Sequence, residues 1–206
     1  MTIMKKLDIF WKHCELKTAF KISVLDAVIR PKLLYGMDSA QLTPSHQRRI
    51  EVFQLKGLRK ILQMKTTYVE RTNTNNEVFR RADELMKDET APEKKPKIIV
   101  PFVTCYLNSR IKRLIRLNKM DAKHPVRHIT FGTDRDNRLV PWTPSNRRIG
   151  RPRYKWVTEA VKDMWQNITS THAHIPPEFD NNNIQQHEAV KNCMSTEAPN
   201  PTLFFK

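Results

Sequence analysis

Apolar side chains return every three or four residues in stretch after stretch of this chain, a period that lines them along one side of an α-helix. Leu16, Phe20, Val24 and Ala27 recur in this way and Ile29 and Leu33 widen the face, so 17–39 reads as a long helix. Pro31 should kink or split it, because the ring removes a backbone donor and clashes one turn back, and Gly36 weakens its end. Thr43-Pro44 is a good helix start: a hydroxyl that can cap, then a ring suited to the first turn. The helix it opens runs to about Met64 with Ile50, Phe53, Leu58, Ile61 and Leu62 as its apolar stripe. Thr74-Asn75-Asn76-Glu77 has the capping-box pattern and predicts a short helix to about Lys87. A fourth helix over 101–119 buries Val103, Tyr106, Leu107, Ile111 and Leu114. A last one over about 155–168 follows Val157, Ala160, Val161, Met164 and Ile168, flanked by Trp156 and Trp165. Between them, 120–148 lacks sustained periodicity, with a short strand expected at Val126–Phe131.

The fold class expected is all-α. A small helical domain occupies 16–87, a charged, proline-containing linker 88–97, and a second basic helical region 98–168. The 169–206 tail, with Asn181–Asn183, Gln185-Gln186 and several prolines, reads as disordered, as do the outermost residues at the other end. Hydrophobic residues are 39% of the chain, below the roughly 45–50% of ordinary globular domains, so the core is small for the length.

Lys and Arg total 37 against 21 Asp and Glu, a net charge of +16, and a surplus of that size attracts polyanions. The surplus lies on the segments that look folded: 17 basic against 9 acidic residues over 1–87 and 18 against 8 over 88–168, but only 2 against 4 over 169–206. Cys14, Cys105 and Cys193 are too few and too scattered for a disulfide framework and fit a reducing compartment. No apolar run is long enough to span a bilayer, and the N-terminus lacks the apolar stretch of a signal peptide. A nuclear or cytoplasmic protein with no membrane partner is the expectation.

Catalytic chemistry finds little to stand on. The four glycines, Gly36, Gly57, Gly132 and Gly150, are isolated, so no phosphate-cradling loop can be assembled from them. There is no Asp-Asp pair of the sort that holds two metal ions for nucleotidyl transfer, no nucleophile elbow and no Cys-x-x-Cys. His172, His174, His187 and Cys193 are the best metal candidates, but their spacing matches no structural zinc site; His13-Cys14 and His124 with His128 are weaker. No catalytic residue, metal ligand or cofactor is assigned.

The basic residues are better organised. Arg48, Arg49, Lys56, Arg59 and Lys60 gather on the second helix. Arg110, Lys112, Arg113, Arg116 and Lys119 crowd the side of the 101–119 helix left by its apolar stripe, and Lys112, Arg116 and Lys119 stand at i, i+4, i+7 on one face. Such a row neutralises phosphates and releases counterions, which makes binding steeply salt-dependent. A third cluster, Arg147, Arg148, Arg151, Arg153 and Lys155, surrounds Tyr154 and Trp156. Its arginines suit phosphates, and its aromatics either stack on unpaired bases or are buried at the start of the last helix.

Four motifs then fall in a suggestive order: Lys32–Gly36 (KLLYG), the 48–61 helix (RRIEVFQLKGLRKI), Arg71–Val78 (RTNTNNEV) and Gly150–Trp156 (GRPRYKW). Over roughly 16–165 the chain resembles the C-terminal region of reverse transcriptases from non-LTR (LINE-type) retrotransposons, beyond the polymerase palm. The resemblance implies a thumb-like helical bundle that holds a template–primer duplex. It puts Arg48, Arg49, Lys56, Arg59 and Lys60 along the side facing the nucleic-acid backbone and GRPR in a post-thumb region. The palm and its carboxylates are missing, no Gly-His pair stands near the end of the fourth helix, and no cysteine-rich knuckle follows GRPR. Polymerase activity therefore does not carry over, and a 5′-truncated element copy would encode such a chain. RNA or DNA, and the remainder of a reverse transcriptase, are the partners expected. The rival expectations are a sequence-specific DNA-binding module and a relic without function.

Overall fold

In a computed structural model of the chain, the residues described are 7–88, 98–121, 123–133, 139–141, 156–171 and 184–195. Their regular structure is helical apart from one short two-stranded ribbon, and the fold is all-α. They divide into two compact units: Met1–Tyr35 with Leu42–Cys105, and Gly36–Gln41 with Tyr106–Lys206. The linker residues beyond Asp88 and the 147–155 basic cluster lie outside the described residues.

The first unit opens with a helix that periodicity did not announce, α1 (Asp8–His13), whose Trp11 is fully buried. The folded region therefore begins ahead of residue 16. The Trp11 carbonyl accepts a 3.0 Å hydrogen bond from the Lys21 ammonium, which is itself buried. Next comes α2, built from Thr18–Val24, a π-helical turn Leu25–Ile29 and Arg30–Leu34. The π turn answers the proline: the Arg30 N–H reaches back five residues to the Leu25 carbonyl, and the wider turn carries the helix past Pro31 without a break.

The buried face of α2 is Ala19, Ile22, Leu25 and Ile29. Leu16, Phe20 and Ala27, expected to be inside, are exposed, and Val24 is half-buried. Apolar residues surround most of this helix, so a 3.6-residue period fits two faces and cannot choose between them.

Helix α3 (Pro44–Ile61) begins as its sequence predicts. Thr43 is extended, its hydroxyl accepts from the His46 N–H, and Pro44 fills the first turn. It stops three residues earlier than expected. Gln63 adopts φ +55, where glycine is the usual choice, and the Met64 N–H closes on the Arg59 carbonyl at 2.9 Å. Ile50, Leu58 and Ile61 are buried as expected, together with Leu55, Gly57 and Gln54.

Helix α4 (Asn75–Asp88) uses half of its capping box. The Glu77 N–H bonds the Thr74 hydroxyl, but the Glu77 carboxylate turns to Arg80 and Arg81 instead of reaching back. Helix α3 packs against α1, α2 and α4, and Val78, Ala82 and Met86 of α4 complete the first core.

Gln54 ties the segment before the next helix into this unit. Its side chain is fully buried, donates to the Val100 carbonyl at 3.1 Å, and accepts from the Phe102 N–H at 2.7 Å. The second bond satisfies a first-turn donor of α5 (Phe102–Lys119).

The second unit takes over within α5, at Tyr106. Ile111, Leu114 and Ile115 of α5 pack with Val157, Ala160, Val161, Met164 and Trp165 of α7 (Trp156–Thr171). Between those helices lie α6 (Pro125–Thr130) and a ribbon of β1 (Phe131–Thr133) and β2 (Leu139–Pro141), antiparallel with Gly132 opposite Val140. The strand expected at Val126–Phe131 is thus a helix up to Thr130. His124 caps it by accepting from the Val126 N–H, and Pro125 suits its first turn.

The tail expected to be disordered also contains a helix, α8 (Ile184–Ser195). Gln186, His187 and Val190 are buried on one side, and Val190 joins the α5–α7 core. The Asn/Gln-rich composition hid a face anchored by Val190, with Ala189 packed beside it.

The Gly36–Gln41 segment is held by second-unit residues. Gly36 sits at φ +69, where a side chain would be strained, and turns the backbone into a 3-10 turn, Met37–Ser39. Tyr106 Oη donates to the Ala40 carbonyl at 2.9 Å and Trp156 Nε1 to the Asp38 carbonyl at 3.0 Å.

Candidate nucleic-acid interface

Helix α3 turns its basic residues away from the first core. Arg48, Arg49 and Lys56 are exposed, and Arg59 and Lys60 are half-buried. Arg49, Lys56 and Lys60 fall at i, i+7, i+11, so they form one row, with Arg48 beside it. Arg59 is engaged: its Nη2 donates to the Asn73 carbonyl at 3.2 Å and to Asn75 Oδ1 at 2.8 Å. It fastens the loop after α3 to the helix, a task the sequence did not reveal.

On α5 the expected row is present. Lys112, Arg116 and Lys119 are exposed, on the side opposite Leu114. Arg116 and Lys119 lie in the last turn, where the helix dipole also favours cations. Two neighbours differ from expectation. Arg113 is only partly exposed and pairs with Asp38 at 3.0 Å. Arg110 is 1% exposed and belongs to the core side. Its Nη1 meets Asp163 Oδ2 at 2.6 Å, its Nη2 donates to Gln41, and its guanidinium lies 5.5 Å from the centre of the Tyr106 ring. An arginine so enclosed is not placed to meet a phosphate. Lys112 and Arg113 follow it closely, which made it read as one of an exposed series, while Asp163 lies too far along the chain to be paired with it by inspection.

Two arginines on α4 are neutralised locally. Arg80 bonds Glu77 and Glu84, and Arg81 bonds Glu77. Those contacts lower the Glu77 carboxyl to about 2, the hydrogen bond from Arg80 contributing most and that from Arg81 next. The α4 surface is therefore a balanced ion-pair lattice, unlike the predominantly basic rows of α3 and α5.

The loop from Lys65 to Asn73 adds a feature that helical periodicity could not expose. Its Tyr68 is 97% exposed and Val69 is exposed beside it. The loop is well braced. The Thr66 carbonyl accepts from the N–H groups of Val69 and Glu70, both at 3.0 Å. Buried Asn73 donates through Nδ2 to the Lys65 carbonyl at 3.1 Å and to Glu70 Oε2 at 3.0 Å.

Arg147, Arg148, Arg151, Arg153 and Lys155 lie outside the described residues, as does Tyr154. Trp156 is partly buried against the second core, the alternative to base stacking that its sequence position allowed. Of the metal candidates, His172 and His174 lie outside the described residues, and His187 is buried in α8. Among the described residues no group of three or more His, Cys, Asp or Glu side chains could hold a metal ion, and no helix is long and apolar enough to cross a membrane. Compared with protein-family models, with curated proteins and with solved structures, the chain matches none.

Proposed function

We propose that this chain binds RNA or an RNA–DNA duplex through its phosphates, with no polymerase activity of its own, in the manner of the thumb and post-thumb region of a non-LTR retrotransposon reverse transcriptase. The observation that carries the reading is the pair of exposed, predominantly basic helix faces, Arg48, Arg49 and Lys56 on α3, with Glu51 at the edge, and Lys112, Arg116 and Lys119 on α5, in a chain of net charge +16. Solvated helix faces of ordinary proteins mix their signs, as α4 does here; an unbalanced row attracts a polyanion. The order of the four sequence motifs supports the thumb-like assignment. Sequence preference is weak on this reading, because phosphate contacts position a protein without reading bases. A helix–turn–helix module, the rival, joins its two helices by a tight turn, whereas α3 and α4 are separated by residues 62–74.

The test is a titration of single-stranded and duplex RNA and DNA across salt concentration. Affinity falling steeply and log-linearly with salt, with little dependence on sequence, is the expected result. Salt-insensitive affinity, strong preference for one duplex sequence, or nucleotide incorporation by the chain alone with Mg²⁺ would overturn it. A cooperative thermal melt of the same sample disposes of the reading as a relic that does not fold.

A further inference from the structure

Resting on that reading, we infer that Tyr68 is a stacking platform for an unpaired nucleobase, so that the chain favours nucleic acid with single-stranded character over continuous duplex.

Tyr68 stands out even among exposed large apolar residues, at 97%. An aromatic ring on a loose surface loop would carry no argument, but this loop is stapled. Asn73 is buried and holds both the start of the loop, through the Lys65 carbonyl, and its middle, through the Glu70 carboxylate. The Thr66 carbonyl closes the turn around the ring by accepting from Val69 and Glu70. Arg59 then ties the Asn73 carbonyl to the last turn of α3. The backbone that carries Tyr68 is thus fixed to the basic helix, which lowers the cost of ordering it on binding.

The chemistry of the tip selects the ligand. Lys65 and Arg71 are exposed three residues to either side of Tyr68, with Arg48, Arg49 and Lys56 on the helix to which the loop is tied. Glu70, the acidic residue between them, spends its carboxylate on Asn73 and Thr72. Cations flanking a solvent-facing ring suit a ligand that is both anionic and aromatic. A nucleotide strand offers phosphates at the spacing of its bases, and any base presents a π-face once it is unpaired. A closed duplex offers its phosphates but no base face.

The experiment uses the full chain, wild type and Tyr68→Ala, Tyr68→Phe and Tyr68→Trp, at fixed salt. Each is titrated against a single-stranded RNA and against a duplex closed at each end by a non-nucleotide linker. Tyr68→Ala should weaken single-strand binding by about 5- to 150-fold, the range for removal of one base–aromatic stack. It should leave duplex affinity unchanged, and Phe and Trp should retain binding. A 2-aminopurine base in the single strand should be quenched by the wild type and not by Tyr68→Ala. Unchanged single-strand affinity in Tyr68→Ala overturns the inference while leaving phosphate binding intact, and so does an equal loss on both ligands. Loss of binding to phosphatidylserine vesicles in Tyr68→Ala, with RNA binding kept, would also overturn it by assigning the ring to a lipid surface. A wild-type chain that binds neither nucleic acid overturns the proposed function itself.

Discussion

Arg110 Nη1 and Asp163 Oδ2 lie 2.6 Å apart, with the arginine side chain 1% exposed. Gln41 and the Tyr106 ring take up other parts of the same guanidinium. The charge is enclosed and must be neutralised where it sits. Arg110→Met should cost about 3–5 kcal/mol, because it strands a carboxylate in a largely buried place, whereas Arg110→Met with Asp163→Leu should come within about 1 kcal/mol of wild type. Urea denaturation of the three proteins measures both. Burial pushes the Asp163 carboxyl up, more than Arg110 draws it down. An acid whose folded value exceeds its unfolded one favours the folded state at low pH and loses that advantage as pH rises. The single Arg110→Met variant should accordingly be least damaging in acid and most damaging at neutral pH.

Gln54→Leu should destabilise the first unit by about 2–4 kcal/mol. The amide serves two buried backbone groups at once, the Val100 carbonyl and the Phe102 N–H, and leucine leaves both without this partner. Hydrogen exchange at Phe102 should speed up in the variant. Retained protection there would mean that water or another group takes over.

Glu77 should titrate at about 2, well below the usual 4.5, when followed by NMR at its carboxyl carbon. The sign follows from the depressed value: the folded state gains from the charged carboxylate above about 4.5 and loses that gain as pH falls towards about 2. The carboxylate lies at the surface, partly covered by its two arginines, so the effect on stability is small and salt should weaken it. In Glu77→Gln this part of the acid-dependent loss disappears.

Replacing Arg49 and Lys56 together by Gln should lower the slope of log affinity against log salt by about 0.7–0.9 for each phosphate that the variant no longer neutralises. Replacing Lys112, Arg116 and Lys119 should do the same from the second unit. Arg110 substitutions should leave that slope unchanged in the fraction that remains folded. Fluorescence anisotropy across a salt series separates the three sets, and an unchanged slope in the first two would remove α3 and α5 from the interface.

How far the residues announce all this depends on distance along the chain. Helices α2, α3, α4, α5 and α7 are legible because period, caps and prolines act within a few residues: Thr43 and Pro44 open α3 as their chemistry requires. Which side of α2 is buried is not legible, since Phe20 and Ile22 are both apolar and only their packing partners decide between them. Arg110 misleads for a related reason, its carboxylate being 53 residues away. Tyr68 carries no periodic signal, and only the hydrogen bonds of Asn73 show that its loop is fixed.

The placement of Gly36–Gln41 in the second unit, between stretches that belong to the first, makes the two units non-colinear with the gene. During synthesis this segment leaves the ribosome before most of the first unit exists. Asp38 then waits for Trp156, its partner 118 residues later. Neither half can be expressed as an uninterrupted fragment without losing or stranding a piece. A nested series of N-terminal deletions would therefore injure the second unit as soon as it passed residue 36.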